Sequence, residues 1–370
     1  MREPDDGLYL EQMQQSFGST MIDAATNDYL GYASEALNSD EQSRTEWPTG
    51  ARSSRLIFGS SRAHLKVEQF MADWCGSEAA LLFPNGYTAN LGALSALLSK
   101  EDAVFSDEYN HASLIDGIRL RSRAQVFPHL DLRRLETMLA DSMDRPARWV
   151  IVESYYSMDG DSPDLSELRR LCDRYDAFLY VDEAHSFGVF GPTGAGLCEE
   201  VAVKADVLMC GFGKATASSG ACVLGSSQLR TWLWNRARSF VFSTAPSPRQ
   251  VHDLYDNLQR LRSDAKRRQR LTEIANQVRS SLSDAGLQLT GHGPILSLIF
   301  GEEQLALQAA RDLSEQGIVA QAIRPPTVPA GASRLRVTMK ANWQLRQVER
   351  LSEALIQQAK KASICSSPDQ

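Results

Sequence analysis

What the chain lacks narrows its function first. Six cysteines (Cys75, Cys172, Cys198, Cys210, Cys222, Cys365) are scattered through 370 residues with no C-x-x-C pair. Neither a zinc knuckle nor a disulfide framework is indicated, so no metal is expected and a reducing cytoplasm fits. No apolar run reaches the ~18 residues of a membrane span. The acidic start Met1-Arg2-Glu3-Pro4-Asp5-Asp6 leads into no apolar segment, so neither a membrane span nor a signal peptide is expected. Positive charge is not in excess, with 39 Lys and Arg against 46 Asp and Glu and a net charge of −7. The basic stretch at residues 266–270 reads as the solvated face of a helix, and nucleic acid is not expected as a partner.

What is present is an ordinary soluble composition, 43% apolar and 23% charged, in a chain longer than one domain. From about residue 60, helix-length segments alternate with short apolar runs at residues 79–83, 103–105, 124–127, 149–152, 178–181, 207–210 and 221–224. That alternation predicts an α/β fold, a mostly parallel sheet covered by helices. The Pro246 and Pro248 breaks end the pattern, and a long helical stretch over residues 251–285 leads away. Beyond it, runs at 287–289, 295–300, 318–320 and 334–338 predict a small sheet covered by helices at 303–317 and 345–362, with a frayed tail at 363–370. The expected organisation is an N-terminal segment 1–45, a large domain 46–250 and a small α+β domain 251–370.

The chemistry gathers at the ends of the apolar runs, where an α/β sheet presents functional groups. Lys214 follows the run at 207–210 among small residues, and Asp182 and His185 follow the run at 178–181. An amine that can bond a carbonyl, with an acid that can hold a pyridinium nitrogen, is the pairing that pyridoxal phosphate chemistry requires. Lys214 would carry the cofactor and act as base for an α-proton, which requires partial burial and a neighbouring cation to lower its pKa; the plain reading is a surface lysine. Asp182 would pair with the ring nitrogen, or simply cap a helix. His185 would hydrogen-bond the ring hydroxyl, or be structural. His111, after the run at 103–105, could stack on the ring. Ser157 could orient Asp182 or reach the ring, and Glu153 and Ser157 could equally be turn formers. Asn85, Gly86 and Tyr87 precede a helix expected from Thr88, whose backbone amides and dipole would hold a phosphate.

These residues resemble the α-oxoamine synthases, a branch of the fold-type I pyridoxal phosphate transferases, from about Asn27 to Arg336. The likeness is carried by Asn27-Asp28-Tyr29-Leu30-Gly31, the segment from Asn85 to Asn90, Asn110-His111-Ala112-Ser113-Leu114, Ser157-Met158-Asp159-Gly160-Asp161, Asp182-Glu183-Ala184-His185-Ser186 and Phe242-Ser243-Thr244-Ala245. The segments at 322–331 and 333–338 resemble the biotin-pathway branch, which implies condensation of L-alanine with a pimeloyl thioester on coenzyme A or acyl carrier protein. The resemblance further implies a homodimer with shared active sites, Ser243 and Thr244 serving the partner's phosphate site. It implies that Arg336 grips the alanine carboxylate with help from Asn27, that Thr327 lies on the substrate side, and that Arg55 lies near the acyl donor. Arg334 and Arg336 share a strand face, so one can serve structure and the other substrate. Three positions depart from the family pattern: Gly211 where relatives carry Thr or Ser, and Ala217 and Arg52 where they carry glycine. The alternatives are a relative using another acyl-CoA and amino acid, and a catalytically silent regulatory homologue.

Overall fold

A computed structural model describes residues 9–33, 35, 47–287 and 289–365. In chain order the strands are β1 (Ile22–Asp23), β2 (Ala79–Phe83), β3 (Ala103–Asp107), β4 (Ala124–Phe127), β5 (Arg148–Glu153), β6 (Phe178–Asp182), β7 (Val207–Gly211), β8 (Ala221–Gly225), β9 (Ile295–Gly301), β10 (Ile318–Val319), β11 (Gln321–Ile323) and β12 (Ser333–Thr338). The helices are α1 (Tyr9–Phe17), α2 (Arg62–Trp74), α3 (Gly86–Leu97), α4 (Ala112–Arg119), α5 (Leu132–Ala140), α6 (Leu165–Arg174), α7 (Leu197–Glu200), α8 (Ser227–Arg236), α9 (Arg238–Val241), α10 (Pro248–Ser263), α11 (Ala265–Asp284), α12 (Glu303–Glu315) and α13 (Leu345–Cys365).

The chain divides into two compact units. One takes Tyr32–Tyr156 and Ser162–Ala265; the other takes Met1–Gly31, Ser157–Asp161 and Lys266–Gln370.

The larger unit is built on a seven-stranded sheet in the order β2-β8-β7-β6-β5-β3-β4. All neighbours are parallel except β8, which runs antiparallel to both β2 and β7. Every apolar run expected from residue 79 to 224 is a strand, as the predicted α/β class requires. β5 is buried at every position, the pattern of a parallel strand covered on both faces, whereas edge strand β4 buries only Phe127. One core packs Leu81, Val104, Ile151, Tyr180, Met209 and Val223 of the sheet against Ala89, Ala93 and Leu94 of α3, Leu114 and Ile118 of α4, and Phe240 of α9. β4 lies on one side of β3, while β5, β6 and β7 proceed away on the other side. The winding therefore reverses between β3 and β5, which opens a crevice beyond their carboxyl ends.

The smaller unit holds an antiparallel sheet in the order β11-β12-β9 and a parallel pair of β1 with β10. Two expectations are corrected here. The run at 318–320 pairs with the N-terminal β1 instead of joining the small sheet, whose third member is the short β11. The strand expected at 287–289 includes Gln288, which lies outside the described residues, as do the last five residues of the tail; α13 itself continues to Cys365.

The domain boundaries also differ from the sequence reading. The helical stretch at 251–285 is two helices, because Asp264 leaves helical geometry at ψ 62°. α10 packs on α2, with Phe70 edge-on to Tyr255 at 5.4 Å, so the division falls after Ala265 and not after residue 250. The segment 1–45 is not a separate piece: its stretch through Gly31 is tied to the C-terminal part by the β1–β10 ladder and by Thr338 N–H donating to Ala24 O at 2.8 Å. Residues 36–45 lie outside the described residues.

Candidate active site

Four elements of the larger unit bring ionisable groups to the carboxyl ends of the sheet. β6 ends in Asp182, β5 in Glu153, β3 leads through Asn110 to His111 at the start of α4, and β7 leads to Lys214. Asp182 is 4% exposed. Its carboxylate accepts from Asn90 Nδ2 at 2.7 Å and from Ala184 N–H at 2.8 Å. Burial pushes its pKa up; the charge of Lys214, these two donors and His111 act against that rise. A buried carboxylate held by two donors and facing an amine suits a cationic partner.

Lys214 is half-buried, and Ala217 N–H donates to its carbonyl at 3.0 Å. The sequence reading called for a neighbouring cation. The structure instead sets Lys214 in the field of Asp182 and Glu153, with His111 nearby.

His111 caps α4 through its ring, Nδ1 lying 2.8 Å from Ser113 Oγ and 3.2 Å from Ser113 N. Its own N–H donates to Glu153 Oε1 at 2.6 Å. Loss of hydration, reinforced by Lys214, lowers the imidazole pKa, while Asp182 and Asp116 oppose the shift. His185 is 6% exposed, three residues past Asp182.

At the amino end of α3, Asn85 Oδ1 accepts from Thr88 N–H at 2.9 Å. The helix begins at Gly86, earlier than expected, because Asn85 and not Tyr87 caps it. Among the described residues the N–H groups of Gly86 and Tyr87 have no acceptor, which leaves first-turn donors for an anion. Tyr87 is 44% exposed, its hydroxyl on Asp116. Ser243 is half-buried, and Thr244 is exposed and bridged to Ser54.

A model of the family described as aminotransferase class I and II matches residues 19–355. The chain belongs to that family. Within it, the chain is 40% identical to an 8-amino-7-oxononanoate synthase of Cellvibrio japonicus (strain Ueda107), over 91% of this chain and 86% of that one. It is 38% identical to another of that name from Chromobacterium violaceum, over 92% and 90%. Among solved structures, a serine palmitoyltransferase from S. paucimobilis with bound PLP and myriocin superposes with a TM-score of 0.87 at 26% identity, over 93% and 88%. An 8-amino-7-oxononanoate synthase from Francisella tularensis gives 0.80 at 27%, over 92% and 98%. The resemblance to α-oxoamine synthases and the fold-type I class are borne out.

Pyridoxal phosphate, the cofactor of this kind of aminotransferase-family fold, meets a fitting donor set in the larger unit. A buried acid stands ready for the pyridinium, a lysine is within that acid's field, and a helix start offers bare amides.

Two expectations about individual residues change. Asn90, which the sequence reading did not single out, orients Asp182; Ser157 belongs to the smaller unit, where its carbonyl accepts from Arg336 Nε. Arg55 is not open to an acyl donor. It is 2% exposed, its Nη1 paired with Glu68 at 2.9 Å and its Nε donating to Ser60 Oγ at 2.9 Å, with the guanidinium over Trp234 and Phe240. Glu68, itself buried, is also needed by Leu82 N–H and Arg230, so the cluster ties α2 to β2 and α8.

In the smaller unit, the two arginines of β12 have different partners. Arg334 is paired with Asp159 and donates to Ala332 O, a structural post. Arg336, 3% exposed, donates to Thr338 Oγ1 at 3.0 Å and to Asn27 Oδ1 at 2.9 Å. Asn27 and Arg336, 309 positions apart, are thus in direct contact. Thr327 is exposed in the loop after Arg324, its N–H donating to Arg324 O.

Proposed function

We propose that the chain is a cytoplasmic, PLP-dependent acyltransferase that joins L-alanine to a pimeloyl thioester, on coenzyme A or acyl carrier protein, giving 8-amino-7-oxononanoate, carbon dioxide and the free thiol of biotin biosynthesis. The observation that carries this reading is the held Asp182 beside Lys214 in a chain 40% identical to relatives of that name. Over the reaction the α-carbon of alanine gives up a proton, bonds the acyl carbon as the carbon–sulfur bond breaks and the thiolate leaves, then loses its carboxylate as carbon dioxide and takes a proton back.

Bound PLP supplies the electron sink for both carbon–hydrogen and carbon–carboxylate cleavage. Lys214 holds the cofactor through its amine and, once released, moves the α-proton at Nζ. Asp182 would stay ionised to keep the ring nitrogen protonated, His111 would lie against the ring, and His185 would address its polar edge. The Gly86 and Tyr87 amides, with Asn85 ordering the turn, receive the phosphate. Arg336 and Asn27 orient the amino-acid carboxylate, and Thr327 lies on the substrate side.

We infer a homodimer as the working form, Ser243 and Thr244 serving the partner's phosphate site. What supports this is the exposure of Phe242, beside those residues, at 71%, and of Phe58 at 87% and Ile57 at 60% in the segment whose Ser54 bridges Thr244. Large apolar side chains left bare together mark an association surface.

The test is a panel of amino acids and acyl thioesters scored for thiol release and for the amino-ketone product. L-alanine with a pimeloyl thioester should give the highest kcat/KM; glycine or serine outperforming alanine would reject the substrate assignment and leave the family chemistry standing. The purified protein should also show a visible band that L-alanine shifts and Lys214→Ala removes. A protein that stays colourless with added PLP would favour the regulatory alternative.

A further inference from the structure

We propose that Asn90 is a positioning residue whose amide ties the hydrogen-bonding states of Asp182 and His111 together and fixes His111 as the neutral ring protonated on Nε2. Its functional meaning rests on the reading of Asp182 and His111 as cofactor-facing groups; its geometry does not.

Asn90 is 1% exposed on α3. Its Nδ2 donates to Asp182 Oδ2 at 2.7 Å and to Ser113 Oγ at 2.9 Å, and its Oδ1 accepts from the Tyr180 hydroxyl at 2.7 Å. An amide nitrogen carries two hydrogens, and both are committed. Turning the amide over would set its oxygen against a carboxylate, so the orientation is determined by Asp182. The Ser113 hydroxyl, having accepted from Asn90, has one hydrogen left to give. His111 Nδ1 lies 2.8 Å from it, and Ser113 N–H faces the same nitrogen at 3.2 Å.

Two donors on one ring nitrogen leave no place for a proton there. Nδ1 is therefore an acceptor, and the ring proton sits on Nε2. Protonating Nδ1 would require the Ser113 hydroxyl to turn away, would strand the Ser113 N–H, and would set a donor against a donor. The charged groups facing His111 are Asp182 from β6, Asp116 from its own helix and Lys214 beyond β7, and the titratable Glu153 of β5 accepts its backbone N–H. The acids favour an imidazolium, and the Asn90–Ser113 chain works against them. A ring kept uncharged suits stacking on a cationic heterocycle, since a second cation there would be repelled.

The test uses the full-length apoprotein, with histidine nitrogens followed by NMR against pH and His111 assigned by the signal lost in His111→Gln. The wild type should show the Nε2–H form with an apparent pKa below that of free imidazole. Ser113→Ala and Asn90→Leu should each raise that pKa and admit the Nδ1–H form, and each should weaken PLP binding on the order of tenfold by absorbance titration. Should Asn90→Leu fail to fold, Ser113→Ala decides alone, because it leaves the Asp182 contact intact. Wild-type tautomer and titration in Ser113→Ala would overturn the proposal. A His111 response in a protein that binds no PLP would sustain the coupling and reject the functional reading; PLP binding with no His111 response would do the reverse.

Discussion

Glu153 and Asp182 are register partners at the carboxyl ends of β5 and β6, and both carboxylates are buried. Neighbouring buried acids resist double ionisation, and their surroundings decide which keeps the proton. Asp182 has Asn90, Ala184 and the field of Lys214, whereas the Glu153 carboxylate has the His111 N–H. Glu153 is accordingly the protonated member, its pKa pushed up to about 8 by burial and by the charge of Asp182.

That division makes stability depend on pH. With a folded pKa of about 8 and an unfolded value of ~4.3, Glu153 contributes fully below the unfolded value. The contribution is lost as pH rises through the folded one, because the native chain holds a proton that the unfolded chain has released. The slope is at most ~1.4 kcal/mol per pH unit. Glu153→Gln keeps a neutral side chain at every pH, so in denaturant melts of the apoprotein its advantage over wild type should widen from pH ~5 to ~8 and then level. A difference that stays flat across that range would move the proton elsewhere.

Ala217 and Arg52 occupy left-handed backbone, with φ of 50° and 60°. These are two of the positions where the family pattern has glycine, and the geometry explains why. A Cβ in that region costs roughly 1–2 kcal/mol, partly offset by the chain entropy that glycine loses on folding, roughly 0.5–1 kcal/mol. Ala217→Gly and Arg52→Gly should each stabilise the protein by about 0.5–1 kcal/mol, read as a higher denaturant midpoint with unchanged slope. A lower midpoint for either would mean that the native side chain makes contacts worth more than the strain.

Sequence alone carried the sheet and the strand-end residues far, because buried parallel strands are short apolar runs and their ends are marked by small and turn-forming residues. Asp182, His111 and Lys214 were legible that way. Asn90 was not: it lies inside a helix, and its partner Asp182 is 92 positions away, so only the packing of α3 on the sheet gives it meaning. Arg55 misled for the opposite reason. The family resemblance sets its segment near the acyl donor, yet Glu68, thirteen positions on, draws the guanidinium inside. The smaller unit was least legible, since β1, β10 and β11 have two or three residues each and exist through pairing rather than propensity.

Arg336 and Lys are not interchangeable at their position. The guanidinium reaches the Ser157 carbonyl, Thr338 and Asn27 from three different nitrogens, which an ammonium on a flexible stem cannot reproduce. Under the proposed function, Arg336→Lys should raise KM for L-alanine about 30- to 100-fold with a smaller fall in kcat, as the loss of a charge-assisted pair predicts. KM for the acyl thioester should move little. Equal losses against both substrates would indicate that β12 itself is disturbed.

Phe58 and Phe242 offer the sharpest check on association. At 87% and 71% exposure they are aromatic side chains bare in one copy, and Ile57 adds to the same segment. Burying such rings contributes roughly 1.5–3 kcal/mol each, so charged replacements across an interface both remove that gain and add desolvation cost. Phe58→Asp and Phe242→Asp should each weaken self-association at least tenfold in sedimentation, while far-UV circular dichroism remains that of the wild type. Because Ser243 and Thr244 adjoin Phe242, the same variants should lose PLP affinity as dimers dissociate, and raising protein concentration should restore it. Unchanged association with both substitutions would leave this surface for a different partner and take the dimer off this face of the sheet unit.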